Sequence, residues 1–280
     1  MKPMLEACTL SHRYPEGSVG LDGCSLAIRR GSRNALLGSN GSGKTTLLQH
    51  FNGLLRPTGG HVCLAGQPLA YSRNGLNELR RRVGLVFQNP DRQLFSASVI
   101  EDVSFGPLNL GLDEATVRRR VYEALASVGL RELADQPVHH LSFGQKKRVC
   151  IAGVLAMQPE VLLLDEPMAG LDAAMQVELE ALLDRLAKQG ITIVLTTHDV
   201  DFAYRWADDI HLLAAGRCLA SFAAPDLPRH VLSLRTAGQP LPAVVALHQA
   251  LAAYGLTSRK AAPPRSLDAL LATLSPLPAR

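Results

Sequence analysis

The chain has 280 residues, 47% of them hydrophobic and 19% charged, with a formal net charge of +4. That length can bury a substantial core in one large domain or two, and the charge is too mild to argue for a nucleic-acid partner. No apolar run approaches the roughly 18 residues that cross a bilayer, and MKPMLEACTL at the start lacks the long apolar stretch of a secretory signal. The expectation is a cytoplasmic chain that reaches a membrane only through a partner. Five scattered cysteines (Cys8, Cys24, Cys63, Cys150, Cys218) form no CxxC pair and read as reduced, structural thiols. The triplets Arg80-Arg81-Arg82, Arg118-Arg119-Arg120 and Lys146-Lys147-Arg148 read as solvated helix faces.

In chain order, ALLG at 35–38, VGLVF at 83–87, VLLLD at 161–165 and ITIVLTT at 191–197 are nearly continuous apolar or β-branched runs. Such runs suit strands buried on both faces, as in a parallel sheet covered by helices. Amphipathic patterns lie between them, for example Met175–Gln189 with Val177, Leu179, Leu182, Leu183 and Leu186. The alternation predicts an α/β fold. From about residue 92 to 158 it breaks: Glu114–Val128 and Ser142–Met157 are helical in pattern, which predicts a helical lobe inserted into the α/β core. Pro, Gly and Ala rise after Ser221 (Pro225, Pro228, Pro240, Pro242, Pro263, Pro264, Pro276, Pro278), with helical pieces at Ala243–Tyr254 and Leu267–Leu274. The predicted division is a main domain over 1–220 and a small helical extension with loose ends over 221–280.

The chemistry lies in two strings. Gly38-Ser39-Asn40-Gly41-Ser42-Gly43-Lys44-Thr45 follows a strand-like run and continues through Thr46 into a helix ending near Leu54. This is the GxxxxGK[ST] phosphate loop in its expected setting. Gly41 and Gly43 let the backbone turn so that its N–H groups point at phosphate oxygens, and the helix N-terminus adds positive potential. Lys44 is expected to reach the β- and γ-phosphates and the Thr45 hydroxyl to bind magnesium. In VLLLDEP, a strand ends at Asp165, whose carboxylate is expected to hold magnesium. Glu166 follows as the candidate general base for an attacking water. His198, ending another strand, is placed to contact the γ-phosphate and orient that water, and Gln88 to reach magnesium through its amide oxygen. His139-His140 is an adjacent pair leading into LSFGQ, and adjacent residues alone do not make a metal site.

LSFGQ at 141–145, together with the phosphate loop, VLLLDEP, AGLD at 169–172 and His198, resembles the ATPase subunit of ABC transporters, in order from about Met4 to Gly216. The resemblance implies a P-loop NTPase with a RecA-like core that hydrolyses ATP with Mg2+. By it, Tyr14 matches the aromatic that stacks on adenine, although before Pro15 it also fits a turn. Gln88 matches the Q-loop glutamine, Asp172 the D-loop aspartate and His198 the switch histidine. Phe143 replaces the first glycine of the commoner LSGGQ form. Ser142, Gly144 and Gln145 keep the groups expected to touch the γ-phosphate, and Ser142 can also cap the helix that follows. In that family the signature faces ATP held by a second ATPase subunit, which implies a head-to-tail dimer; a homodimer is permitted because every required group is present. FQNPDRQLFSASVIEDVSFGP at 87–107 and LSFGQKKRVCIAGVLAM at 141–157 are similar to ATPases of energy-coupling-factor importers, most closely the cobalt-uptake group. This implies a transmembrane coupling protein, a substrate-specific membrane subunit and a peripheral place on the cytoplasmic face of the membrane. The same machine serving nickel or a vitamin is the near alternative. A soluble ABC ATPase or a small-molecule kinase fits the motif set less well.

Overall fold

The computed structural model describes residues 2–258 and 261–274; Pro276 and Pro278 of the predicted tail lie outside the described residues. The chain opens with an antiparallel pair, β1 (Leu5–Arg13) and β2 (Val19–Ile28), then β3 (Arg33–Leu37), which leads to α1 (Lys44–Phe51). β4 (Gly59–Leu64) and β5 (Gln67–Pro68) return to the first sheet, giving the order β2-β1-β4-β5. After α2 (Arg73–Arg82) and β6 (Val83–Val86) come three helices, α3 (Val99–Asn109), α4 (Glu114–Ser127) and α5 (Phe143–Leu155), with no strand among the described residues between β6 and β7 (Val161–Leu164). α6 (Ala173–Lys188), β8 (Thr192–Thr197), α7 (Val200–Trp206) and the hairpin β9 (Asp209–Ala214) and β10 (Arg217–Ala223) follow. The second sheet runs β10-β9-β3-β8-β7-β6, parallel except for β10. Helices α8 (Val231–Thr236), α9 (Ala243–Ala253) and α10 (Leu267–Leu271) complete the chain.

The four apolar runs are β3, β8, β7 and β6, side by side in the parallel sheet. Their period of two divides the core. Leu36, Leu85, Leu163 and Val194 face α1 and the antiparallel sheet. Leu37, Val86, Leu162, Leu164, Ile193 and Leu195 face the helical lobe together with α6 and α7. The antiparallel sheet itself is an addition to the sequence reading, and bulges explain why. Thr9 (φ +46°) and Gly23 (φ +64°) interrupt the registers of β1 and β2, so Leu10 pairs with Cys24 only after a slip from Ala7 opposite Leu26. Each bulge breaks the alternation that signals a strand.

The start of the tail is integral rather than loose. Ala224, Leu227, Leu234, Ala237 and Val245 belong to the main core. Asp201 accepts a hydrogen bond from Ala243 N at 2.7 Å at the start of α9, and Arg265 donates to the carbonyl oxygens of Tyr204, Arg205 and Ala207. The Pro-rich composition marks turns between buried anchor points, not loss of packing.

Two histidines are buried neutral. His211 of β9 lies between Asn34 and Ser221. Asn34 donates its amide hydrogens to Ser32 and to the Ile193 carbonyl oxygen, so its Oδ1 accepts from His211 Nε2 at 3.3 Å and Nδ1 accepts from the Ser221 hydroxyl at 2.8 Å. Burial pushes both His211 and His50 down to about 4. The unfolded chain takes up these protons near its ordinary value of about 6.5 and the native chain does not. Their contribution is therefore complete above about 6.5 and is lost progressively as pH falls toward 4. In urea unfolding across that window, His211→Gln is expected to flatten the decline by nearly one proton; an undiminished slope would show that His211 is not the group responsible.

Candidate nucleotide site

The site is built where the C-terminal ends of β3, β8 and β7 meet one edge of the sheet, the position where open α/β sheets hold ligands. Past Leu37 the chain turns through 38–43 into α1. Close packing requires glycine at two points of this turn. A Cβ on Gly38 would stand 2.3 Å from the Leu213 carbonyl oxygen, and one on Gly43, at φ +102°, would meet Gly20 O at 2.7 Å. Residues Asn40, Gly41, Ser42, Gly43, Lys44, Thr45 and Thr46 line a cleft of about 380 Å³ with Tyr14, Val19, Gly20, Gln88, Glu166 and His198.

Lys44, 6% exposed, donates to Gly38 O (2.7 Å) and Ser39 O (3.2 Å), and its ammonium stands 3.5 Å from Glu166 Oε1. The Thr45 hydroxyl lies 3.0 and 2.9 Å from the two carboxylate oxygens of Asp165. Asp165 also accepts from Thr196 Oγ1 of β8 at 2.7 Å, and that oxygen accepts from Glu166 N at 2.7 Å. His198 Nδ1 is 3.1 Å from Glu166 Oε2. Tyr14 OH lies 2.9 Å from Thr46 Oγ1, fixing the ring at the mouth of the cleft, and Gln88 is exposed at its rim. Two buried polar atoms of cleft-lining residues, Ser42 Oγ and Glu166 Oε1, have no hydrogen-bond partner within the protein. The orphaned Ser42 hydroxyl and the buried Lys44 ammonium suit a polyanion, and the Asp165 carboxylate beside the Thr45 hydroxyl suits a hard cation.

The signature residues stand apart. Ser142, Gly144, Gln145 and Asp172 do not line this cleft. Ser142 and Gln145 form a reciprocal cap on α5, with Ser142 N donating to Gln145 Oε1 (2.8 Å) and Gln145 N to Ser142 Oγ (3.3 Å). Asp172 caps α6 through Met175 N at 2.8 Å. Phe143, 40% exposed, covers Gly170, where an added Cβ would stand 2.9 Å from its ring.

Lys147 corrects the sequence reading. The triplet 146–148 is not uniformly solvated: Lys147 is 3% exposed, and its ammonium donates to Pro167 O (2.6 Å), Ala169 O (2.6 Å) and Glu166 O (3.3 Å). Burial pushes Lys147 down to about 8, against the opposing charge of Glu166. Glu166 itself sits at φ +43°, a conformation that costs a non-glycine residue on the order of 1–3 kcal/mol. Lys147 braces the carbonyls on the far side of that strained turn. The signal was present in sequence: Gly144, Lys147 and Ile151 fall on one buried stripe of α5. Gln239 had no such signal. It is 7% exposed, and with its amide turned to satisfy both groups it donates to His198 O (3.2 Å) and accepts from Ser39 N (3.2 Å). The tail thus touches the phosphate loop and the strand end that carries His198.

Residues 21–169 match the sequence profile of the ABC transporter family. The chain is 49% identical over 98% of its length, and 98% of the relative's, to the cobalt import ATP-binding protein CbiO of Rhodobacter capsulatus. It is 48% identical to the energy-coupling factor transporter ATP-binding protein EcfA of Methanocaldococcus jannaschii, with 89% of each chain covered. Among solved structures, cbiO1 of Clostridium perfringens, part of the transporter complex cbiONQ, superposes with a TM-score of 0.76 at 43% identity, covering 89% of this chain and 100% of that one. A dimeric ATP-binding cassette in a post-hydrolysis state bound to ADP and Pi matches at TM-score 0.71 and 28% identity, covering 79% and 99%. The chain belongs to the ABC transporter family, as an ATP-binding subunit of the energy-coupling-factor type. It is a nucleotide-binding P-loop ATPase that energises transport.

Lys147→Met should lower ATP turnover roughly 10–100-fold, the scale of a small misplacement in an active site, with little change in KM, and Lys147→Arg should recover part of the loss. Wild-type turnover in Lys147→Met would show that the catalytic turn needs no cation beneath it.

Proposed function

We propose that this chain powers import of cobalt ions, by closing and reopening an ATP-sandwich dimer beneath a transmembrane coupling protein. One observation carries the dimer: within a single chain the signature residues Ser142, Gly144 and Gln145 do not line the cleft of the phosphate loop, yet Ser142 is exposed at the positive end of a 13-residue helix. A second subunit placed head to tail completes each site. All the groups needed occur in this chain, so a second copy suffices as the partner.

In this reading the 38–45 loop and Lys44 bind the phosphates of ATP, and Tyr14 stacks on adenine. Thr45, Gln88 and Asp165 hold Mg2+, which supplies charge neutralisation at the β- and γ-oxygens when bound. Glu166 takes the proton of the attacking water, a role worth about 10²–10⁴-fold. His198, hydrogen-bonded to Glu166, orients that water. Ser142, Gly144, Gln145 and Asp172 act on the nucleotide across the interface. The catalytic domain spans about 1–220, with the helical lobe over 92–158, and 221–280 is an extension whose Ala237 and Gln239 buttress the site and which is available for dimer contact.

The membrane contact is assigned to a groove of about 870 Å³ flanked by Gln93, Phe95, Asp102, Phe105 and Leu110. Phe95 and Phe105, 65% and 51% exposed, pack edge to face at 4.7 Å. Exposed aromatics of this kind mark interaction sites. In this reading a cytoplasmic helix of the coupling protein docks there and the chain sits peripherally on the inner membrane face; the substrate-specific subunit holds the metal, and no group described in this chain needs to touch it. The name of the Rhodobacter relative supports cobalt as cargo.

Glu166→Gln is expected to bind ATP, lose turnover and accumulate as a dimer in size-exclusion chromatography with ATP; normal hydrolysis and no trapped dimer would overturn the catalytic assignment. Phe95→Asp should leave the ATPase of the isolated subunit intact while abolishing co-purification with the membrane subunits and uptake of labelled cobalt; unchanged co-purification would remove the groove from the account. Nickel uptake exceeding cobalt uptake in the same assay would replace the cargo.

A further inference from the structure

On the outer face of the antiparallel sheet, away from the nucleotide cleft, two thiols and an imidazole converge. Cys8 of β1 pairs directly with His61 of β4, and Glu6 pairs with Cys63. Cross-strand partners share a face and side chains alternate along each strand, so Glu6, Cys8, His61 and Cys63 form a two-by-two patch on one side of the sheet. The opposite side carries Leu5, Ala7, Val62 and Leu64 into the core. One ligand atom each from Cys8, His61 and Cys63 lie within 4.8 Å of one another. Cys63 is 7% exposed, Cys8 half-buried and His61 exposed, so the group has a fixed floor and an open entry. Glu6 is half-buried and close enough to act electrostatically on the Cys63 thiol.

We propose that Cys8, His61 and Cys63 form a tetrahedral site for a thiophilic divalent cation of the zinc or cobalt(II) class, with Glu6 or water as fourth ligand. Thiolate and imidazole select such ions over Mg2+ and Ca2+. Zinc–sulfur bonds of about 2.3 Å and zinc–nitrogen bonds of about 2.0 Å bring tetrahedral ligand atoms to within about 4 Å of one another, so binding draws these three groups, now within 4.8 Å, inward. Binding exchanges two thiol protons for one M2+: the metal–sulfur bonds form as the protons leave to solvent, with no redox change. The remaining thiols are poor competitors. Cys24 and Cys150 are almost fully buried, and among the described residues Cys24, Cys150 and Cys218 do not converge with two further His, Cys, Asp or Glu ligands. The oxygen ligands of the Thr45–Asp165 pair cannot produce a thiolate signature.

Titration of the reduced full-length chain with cobalt(II), without nucleotide, tests this. The expected result is one equivalent bound with visible tetrahedral bands and a near-ultraviolet thiolate-to-cobalt charge-transfer band, both discharged by zinc. Cys8→Ser and His61→Ala should each weaken binding at least about tenfold, the scale of a disturbed metal shell, while Cys218→Ser and the ATPase rate in magnesium stay unchanged. Absence of the charge-transfer band overturns the proposal. So does a spectrum that survives both Cys8→Ser and His61→Ala.

Discussion

The register of the central parallel strands places every charge of the nucleotide site. Leu37 stands beside Thr197, and Leu164 beside Leu195, so β3, β8 and β7 end nearly flush. One hydroxyl then joins the end of β8 to that of β7: Thr196 donates to Asp165 and accepts from the backbone of Glu166. A slip of one residue in β8 would turn that hydroxyl to the opposite face and leave a 6% exposed carboxylate with the Thr45 hydroxyl but without its Thr196 donor. Burying a carboxylate without such partners is costly. The register that builds the sheet therefore also sets the geometry of the site.

Two elements outside the parallel strands hold the strand ends in their strained arrangement. α5 presents Ser142 outward at its first turn and sends Lys147 inward to the carbonyls after β7. In the proposed cycle, a neighbour pressing on the N-terminus of α5 would push on the same rigid helix that braces Glu166. The tail acts from the other side, with Gln239 and Ala237 holding Ser39 and the His198 backbone. Signature helix, catalytic turn and phosphate loop are thereby linked within one chain by hydrogen bonds.

What was legible in the sequence follows from burial. Strands covered on both faces read as unbroken apolar runs, so β3, β6, β7 and β8 stood out, and so did the phosphate loop and the carboxylates attached to their ends. The antiparallel sheet did not, because bulges at Thr9 and Gly23 interrupt its period and half of each strand faces water. Lys147 was misread because a lysine among other basic residues looks solvated; only the helix phase reveals that it points inward. Gln239 lay beyond reach, since its partners Ser39 and His198 are brought to it by tertiary packing alone. The convergence of Cys8, His61 and Cys63 was hidden for the same reason: it depends on the register between β1 and β4.

The central claim is that the signature of one subunit serves the nucleotide of another. The most direct measurement is ATP affinity and oligomeric state of Ser142→Arg in the hydrolysis-blocked Glu166→Gln background. If the signature works across the interface, the monomer binds ATP as tightly as its parent and the ATP-dependent dimer is lost. A dimer that still forms, or a monomer whose ATP affinity falls, would mean that Ser142 serves the cleft of its own chain or none at all.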